Sequence, residues 1–259
     1  MQQLRLFFIA LQFFTRLPIP RWVGFQPAWL HQSSRYFPLV GCVVAAVAAA
    51  VYGLAALALP APVAVVLSTA ASIYITGAFH EDGFADTCDG FGGGLGAERV
   101  LEIMKDSRVG AYGAIGIVCM LGVKCTTLAM LPPASAIAAL FLAHPLSRLA
   151  ATSLIWRMDY ARAEGKAKPM AQQMRGAEFG IAALTALLPA ALLAGLHTVS
   201  FAALGASILA AGLAALWLAR MFQRRIGGYT GDCLGAVQQL AEVAIYLTVL
   251  ASLGHGALR

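Results

Sequence analysis

Charge is scarce in this chain. Asp, Glu, Lys and Arg make up 12% of its 259 residues, hydrophobic residues 60%, and the mean hydropathy is +0.76. Soluble domains carry about twice that share of charge, so an ordinary soluble globular protein is excluded. Cysteine is sparse too. Cys42, Cys88, Cys119, Cys125 and Cys233 include no C-x-x-C pair, which argues against a disulfide framework or a zinc site. No internal repeat, low-complexity linker or compositional break marks a second domain, so residues 1–259 read as one unit. Acid is the scarcer sign of charge: the chain has only 12 Asp and Glu against 18 Lys and Arg, and the place where they gather is therefore informative.

What is abundant is apolar sequence. Seven stretches are long enough to cross a bilayer core, near 39–59, 63–79, 109–131, 135–156, 179–196, 201–218 and 234–253. The expected fold is all-α, a polytopic integral membrane helical bundle of about seven transmembrane helices. An N-terminal interfacial segment, 1–38, precedes them. Within it residues 4–17 are rich in Leu and Phe, with Arg5, Gln12 and Arg16 on a narrow polar stripe, as in a helix lying in the interface plane. A signal peptide is disfavoured, because Arg16, Pro18 and Pro20 stand where a small-residue cleavage site belongs.

The basic residues set the expected orientation. Arg5, Arg16, Arg21 and Arg35 precede the first span. Arg99, Lys105 and Arg108 follow the second. Arg157, Arg162, Lys166, Lys168 and Arg175 follow the fourth, and Arg220, Arg224 and Arg225 the sixth. The loops around 60–62, 132–135 and 197–200 hold no Lys or Arg. The basic side is expected to be cytoplasmic, which makes this a multi-pass membrane protein with its charged loops inside. The +6 net charge is thus a topology signal, and nucleic acid is not an expected partner. Residues 165–176 read as a mobile cytoplasmic loop.

Four of the 12 acids fall between positions 81 and 89: Glu81, Asp82, Asp86 and Asp89. The last three are spaced i, i+4, i+7, which on a helix places them on one face. Like charges so placed repel, and a cation bridging them reverses the sign of that effect. Oxygen-only ligands favour a hard ion such as Mg2+. The segment 80–108 is expected to be an acidic, Gly-rich cytoplasmic active-site loop. Its run Gly90-Phe-Gly-Gly-Gly-Leu-Gly96 permits close backbone approach and N–H contacts to phosphate oxygens. Lys105 and Arg108 suit phosphate charge, and Asp106 is a further metal candidate. Alternatively, the two cations merely mark the membrane edge.

A second constellation, Arg224-Arg-Ile-Gly-Gly-Tyr-Thr-Gly-Asp-Cys-Leu-Gly235, puts Asp232 at the start of the seventh span. There it either caps the helix or completes the site begun by Asp82, Asp86 and Asp89. Charges inside spans form a third group. Arg148 and Glu242 each lie about 12 Å deep at 1.5 Å per residue. They are expected to pair, or Arg148 to reach substrate phosphate. Lys124 lies nearer an outer end and is expected to snorkel. His144 is a potential lining residue.

Clustered carboxylates, glycine turns and basic residues at one membrane face suggest metal-dependent phosphoryl chemistry. The chain resembles the cobalamin synthase family, the adenosylcobinamide-GDP ribazoletransferases. The resemblance is carried, in order along nearly the whole chain, by four segments. They are Phe13-Phe-Thr-Arg-Leu-Pro-Ile-Pro20, His80-Glu-Asp-Gly-Phe-Ala-Asp-Thr-Cys-Asp-Gly-Phe-Gly-Gly94, Met104-Lys-Asp-Ser-Arg-Val-Gly-Ala-Tyr-Gly113 and Gly227-Gly-Tyr-Thr-Gly-Asp-Cys-Leu-Gly-Ala236. Ser147-Arg148 is also similar to the family.

The resemblance implies a reaction between adenosylcobinamide-GDP and α-ribazole or its 5′-phosphate. Adenosylcobalamin, or its 5′-phosphate, and GMP are the products, and Mg2+ is the cofactor. It implies Glu81, Asp82, Asp86 and Asp89 as metal and catalytic candidates, Asp82 and Asp86 foremost. Asp106 and Asp232 are further metal candidates, and Lys105, Arg108 and Arg148 are candidates for phosphate. A homo-oligomer is compatible with this reading.

Two rivals stand beside it. A CDP-alcohol phosphotransferase-like phospholipid enzyme also clusters aspartates at a helix end, but the Ala-Arg of its D-x-x-D-G-x-x-A-R run is missing here. A cation-coupled transporter would use Glu242, Arg148 and Lys124 along a pathway, yet the acids crowd at one face and no inverted repeat is visible.

Overall fold

The computed structural model describes residues 1–161 and 174–256. Helices α1 (Gln2–Phe14), α2 (Pro27–Ser33), α3 (Phe37–Ala56), α4 (Ala61–Thr76), α5 (Phe79–Gly93) and α6 (Ala97–Ile103) come first. They are followed by α7 (Ala111–Ala129), α8 (Pro133–Arg157), α9 (Gly176–Gly195), α10 (Phe201–Ile226) and α11 (Gly231–Gly256). Among the described residues no strand forms, apart from one isolated bridge between Tyr160 and Tyr229. Most of the loop expected at 165–176 lies outside the described residues.

The protein is an all-α polytopic membrane bundle. Among the described residues six helices are long and apolar enough to cross a bilayer: α3 with the turns before it, α7, α8, α9, α10 and α11. α8 and α11 are central, with 72% and 67% of their apolar windows buried, against 22% for α9 and 28% for α10. Leu184, Leu188, Leu192, Leu209, Leu213 and Trp217 of α9 and α10 are exposed; on helices otherwise this apolar they are suited to face lipid. Small residues let the helices approach. A methyl group at Gly41 of α3 would come 2.6 Å from the His144 carbonyl oxygen of α8, so only glycine fits at that crossing.

The second expected span is broken. α4 ends at Thr76, and α5 leaves it at 89°. The elbow is two residues in left-handed conformation, Gly77 (φ 65°) and Ala78 (φ 58°). Glycine is at ease there; for alanine the conformation costs on the order of 1 kcal/mol. The N-terminal linker braces the turn. The Arg16 N–H donates to the Ile75 carbonyl at 2.8 Å, and its guanidinium lies 5.0 Å from the centre of the Tyr74 ring. Helix α1 is too short to span. Its Phe14 packs edge-on to Phe37 and stacks on His80 of α5.

Within the acidic, Gly-rich segment 80–108, where a loop was expected, residues 80–93 are helical as part of α5 and 97–103 form α6, with only 94–96 and 104–108 left as connections. Its glycines serve packing more than flexibility. A methyl group at Gly83 would come 2.9 Å from the Asp232 Cα, at Gly90 2.4 Å from the Met104 side chain, and at Gly92 2.5 Å from the Tyr112 ring.

Candidate active site

Helix α5 sorts its four acids by direction. Asp82 is exposed, Asp86 half-buried, and Glu81 and Asp89 are buried. Asp82 and Asp86, one turn apart, share the outward stripe. Asp89 continues that stripe but is tucked under α7. Its Oδ2 accepts the Gly110 N–H at 2.7 Å and its Oδ1 the Gly113 N–H at 2.8 Å. A buried carboxylate thus caps the first turn of α7, where both the free N–H groups and the helix dipole favour negative charge. The glycines of the Gly110-Ala-Tyr-Gly113 run make room for it, since a methyl group at either would come 2.4 Å from a carboxylate oxygen. The sequence reading offered Asp89 as a metal ligand; the structure gives both of its oxygens a backbone partner.

Glu81 also turns inward. Its Oε1 accepts from Gln239 Nε2 of α11 at 2.9 Å. Asp232 is half-buried in the first turn of α11, beside Gly83. It does not cap that helix: Thr230 Oγ1 accepts the Cys233 N–H at 3.3 Å and lies 3.4 Å from Asp232 Oδ2. The turn before it is pinned by backbone pairing, Tyr229 N–H to the Asp159 carbonyl at 3.0 Å and Ala161 N–H to the Tyr229 carbonyl at 2.8 Å. Gly228 is obligatory there, since a methyl group would come 2.3 Å from the Asp159 oxygen. So the acidic segment and the second Gly-rich segment, far apart in sequence, meet at the α5–α11 crossing, and Asp82, Asp86 and Asp232 lie around it.

A cleft of about 590 Å³ opens beside the α5 C-terminus, lined by Asp89, Arg99, Asp106, Arg108 and Tyr112 among others. Lys105 and Arg108 are exposed at this end of the bundle. Arg108 donates from Nε to Asp106 Oδ1 at 3.0 Å and from a terminal nitrogen to Oδ2 at 2.5 Å. The Arg108 hydrogen bonds hold the Asp106 carboxyl down at about 2, and the carboxylate in turn raises the Arg108 guanidinium above its ordinary value. Asp106 is thus first of all the partner of Arg108. Arg225 of α10 reaches the Gly94 carbonyl at 2.5 Å and closes the loop after α5 onto the bundle.

The buried charges pair otherwise than expected. Lys124 does not snorkel: its side chain is 2% exposed and its Nζ lies 2.6 Å from Glu242 Oε1. Glu242 also accepts from Tyr246 Oη at 2.9 Å and from Gln238 Nε2 at 2.5 Å. Arg148, expected to pair with Glu242 or to bind phosphate, instead donates to the His144 carbonyl at 3.0 Å. It is buried and does not line the cleft with Arg108. Reading depth along single helices could not find the Lys124–Glu242 pair, because it joins α7 to α11. The adjacent polar pair Gln238-Gln239 inside an apolar span was the signal that went unused.

Among the described residues no three His, Cys, Asp or Glu side chains converge as a ready-made metal cage. The donor set still fits Mg2+, which is commonly held by one or two carboxylates with phosphate oxygens and water completing its shell. Exposed Asp82 and half-buried Asp86, a turn apart, supply that number, with Asp232 across the crossing.

Residues 6–250 match the family model described as Cobalamin-5-phosphate synthase. Among curated proteins the chain is 51% identical to an adenosylcobinamide-GDP ribazoletransferase of Leptothrix cholodnii, covering 95% of both chains. It is 47% identical to one of Ralstonia pickettii over 93% of both. A third, from Shewanella frigidimarina, is 43% identical over 97% of this chain and 96% of the other. No solved structure matches.

Proposed function

The chain belongs to the Cobalamin-5-phosphate synthase family, and from that premise we propose that it is a membrane transferase joining adenosylcobinamide-GDP to α-ribazole, or to its 5′-phosphate, with release of GMP. The observation that supports the site is the close α5–α11 approach at Gly83, where the Asp232 backbone lies against the turn of α5 that bears Asp82 and Asp86. The reading also places this end of the bundle in the cytoplasm, since the loops there carry the basic residues.

The ribose 3′-hydroxyl of the ribazole attacks the phosphorus attached to the cobinamide. A new P–O bond forms, the P–O bond to GMP breaks, and GMP departs with the bridging oxygen. An α5 carboxylate, Asp82 or Asp86, accepts the hydroxyl proton. Bound Mg2+ would supply neutralisation of diphosphate charge, and Asp232 with whichever of Asp82 and Asp86 does not take the proton would hold it. Arg108, which lines the cleft, and the exposed Lys105 near it meet non-bridging oxygens. Arg108 is kept in that position by Asp106. Asp89 shapes the site indirectly, by fixing α7 against α5. Positioning and electrostatics then carry most of the acceleration.

Purified protein in lipid vesicles, given adenosylcobinamide-GDP, α-ribazole and Mg2+, is expected to release GMP, and EDTA to stop it. Release that continues unchanged in EDTA removes the metal from the reading. Ion flux without GMP points to a transporter instead.

A further inference from the structure

A small polar cavity lies inside the bundle, apart from the acidic stripe. It measures about 10 Å³ and is lined by Thr76, Glu81, Lys124, Arg148, Gln239 and Glu242 among others. Two cations and two carboxylates face it. Lys124 and Glu242 are paired directly at 2.6 Å. That leaves Arg148 and Glu81. The Arg148 hydrogen bonds go to the His144 carbonyl and to the neighbourhood of its ring, at 3.0 and 3.4 Å. Glu81 is held by a neutral amide, Gln239.

Both side chains are more than nine-tenths buried, and each keeps a polar atom with no hydrogen-bond partner among the described residues: Arg148 Nε and Glu81 Oε2. His144 Nε2, Gln238 Oε1 and Gln239 Oε1 are in the same condition, and all five belong to side chains lining this one cavity. Buried polar atoms left so cost about 1–3 kcal/mol each. The electrostatic neighbours of Arg148 include Glu242 first and Glu81 next.

We infer that this cavity is a water site, and that the water joins Glu81 of α5 to Arg148 of α8 as a bridged ion pair. The volume suits one water. Its two hydrogens meet Glu81 Oε2 and a glutamine carbonyl oxygen, and its oxygen accepts from Arg148 Nε. Four charges are then balanced two against two in a region where an uncompensated charge is expensive. The consequence is mechanical. Glu81 stands in the first turn of α5, three residues past the Gly77–Ala78 elbow. Anchoring it to the rigid centre of the bundle fixes the direction in which α5 presents Asp82 and Asp86. Glu81 is therefore a positioning residue, separate from the outward acids beside it.

The test is a double-mutant cycle on the full chain in lipid nanodiscs, with Glu81→Gln, Arg148→Met and the pair. The readouts are thermal unfolding, amide exchange in 79–93, and kinetics. Each single variant is expected to lower the unfolding midpoint and to raise exchange in α5 selectively. The double variant is expected to be no worse than the poorer single, since partners of one network do not add. In kinetics, kcat of Glu81→Gln should fall about tenfold with little change in KM for the nucleotide substrate, a geometric effect worth about 1.4 kcal/mol. Additive losses, or exchange that rises equally in α9, overturn the pair. If Arg148→Met does not fold, Arg148→Lys replaces it. A wild-type density map that resolves ordered water decides the bridge itself: density between the two side chains is expected, and a direct contact or a dry cavity refutes it. The unfolding, exchange and density readouts use no substrate, so they stand or fall independently of the proposed reaction.

Discussion

Asp82 and Asp89 differ by seven positions on one helix, yet their environments are opposite. Asp82 is exposed, and Asp82→Asn is expected to lower kcat by at least about 100-fold with the unfolding midpoint unchanged, and Asp86→Asn to lower kcat as far; normal turnover in both variants would remove them from the chemistry. Asp89 is buried against two N–H groups. Asp89→Ala is expected to cost about 2 kcal/mol of stability, read by thermal unfolding, while Asp89→Asn, which keeps one acceptor, costs less. The Asp106 carboxyl has a depressed value, about 2 against an ordinary 3.8, because Arg108 donates to it. The pair is fully formed above the ordinary value and is lost as pH falls through about 2. An NMR titration of Asp106 checks this, and Arg108→Met should return the carboxyl to the ordinary range. At this scale the sequence made the acids conspicuous but could not rank them. The partners that distinguish Asp89 lie 21 and 24 residues away on another helix, and the partner of Glu81 lies 158 away.

Helix α5 is the element on which the site depends. Its sequence, with Gly83, Gly90, Gly92 and Gly93, reads as a loop by composition, since glycine lowers helix propensity by about 1 kcal/mol per residue. Tertiary packing overrides that preference, because each of the first three meets a neighbour too close for any side chain. Lost propensity is exchanged for close approach of α11, α6 and α7. Gly83→Ala is accordingly expected to push α5 off Asp232 and to depress turnover by at least about tenfold, with the rest of the bundle retained; near-normal turnover would show that the crossing does not set the site. The elbow was equally hidden. Apolarity continues through it, so hydropathy extended the second span to 79, whereas two left-handed residues turn the chain at 77–78. By contrast the other long spans were legible to within a few residues, because exposed Leu, Val and Ile facing lipid leave an unbroken apolar record. α10 is the exception, running to Ile226 where the apolar stretch was expected to end at 218, since its last turns carry Arg220, Arg224 and Arg225.

The whole molecule is a bundle with unlike ends. One end carries Asp82, Asp86, Asp232, Lys105 and Arg108; the connections at the other, around 57–60, 130–133 and 196–200, are uncharged. The fold class followed from composition alone, and the family followed from motifs whose structural sense is now apparent: the Phe-Thr-Arg segment braces the elbow, Gly110 and Gly113 receive Asp89, and Gly228 lies against Asp159. Orientation is open to a direct check. In cells otherwise free of cysteine on this protein, an impermeant maleimide should label Leu57→Cys from outside. Leu95→Cys should react only after permeabilisation. Both positions are well exposed, at 83% and 98%. The reverse pattern would put the acids on the wrong side for a nucleotide substrate.

The central claim is that α5 and α11 hold a divalent cation together with the diphosphate of the substrate. Mn2+ binding followed by electron paramagnetic resonance, with adenosylcobinamide-GDP present and ribazole withheld, tests it most directly. Wild-type protein is expected to take up Mn2+ only with the substrate bound. Asp82→Asn with Asp86→Asn should weaken that uptake by at least about 100-fold, more than changes beyond the ligand shell cost. Equal uptake by the wild type and the doubly substituted protein would contradict the account.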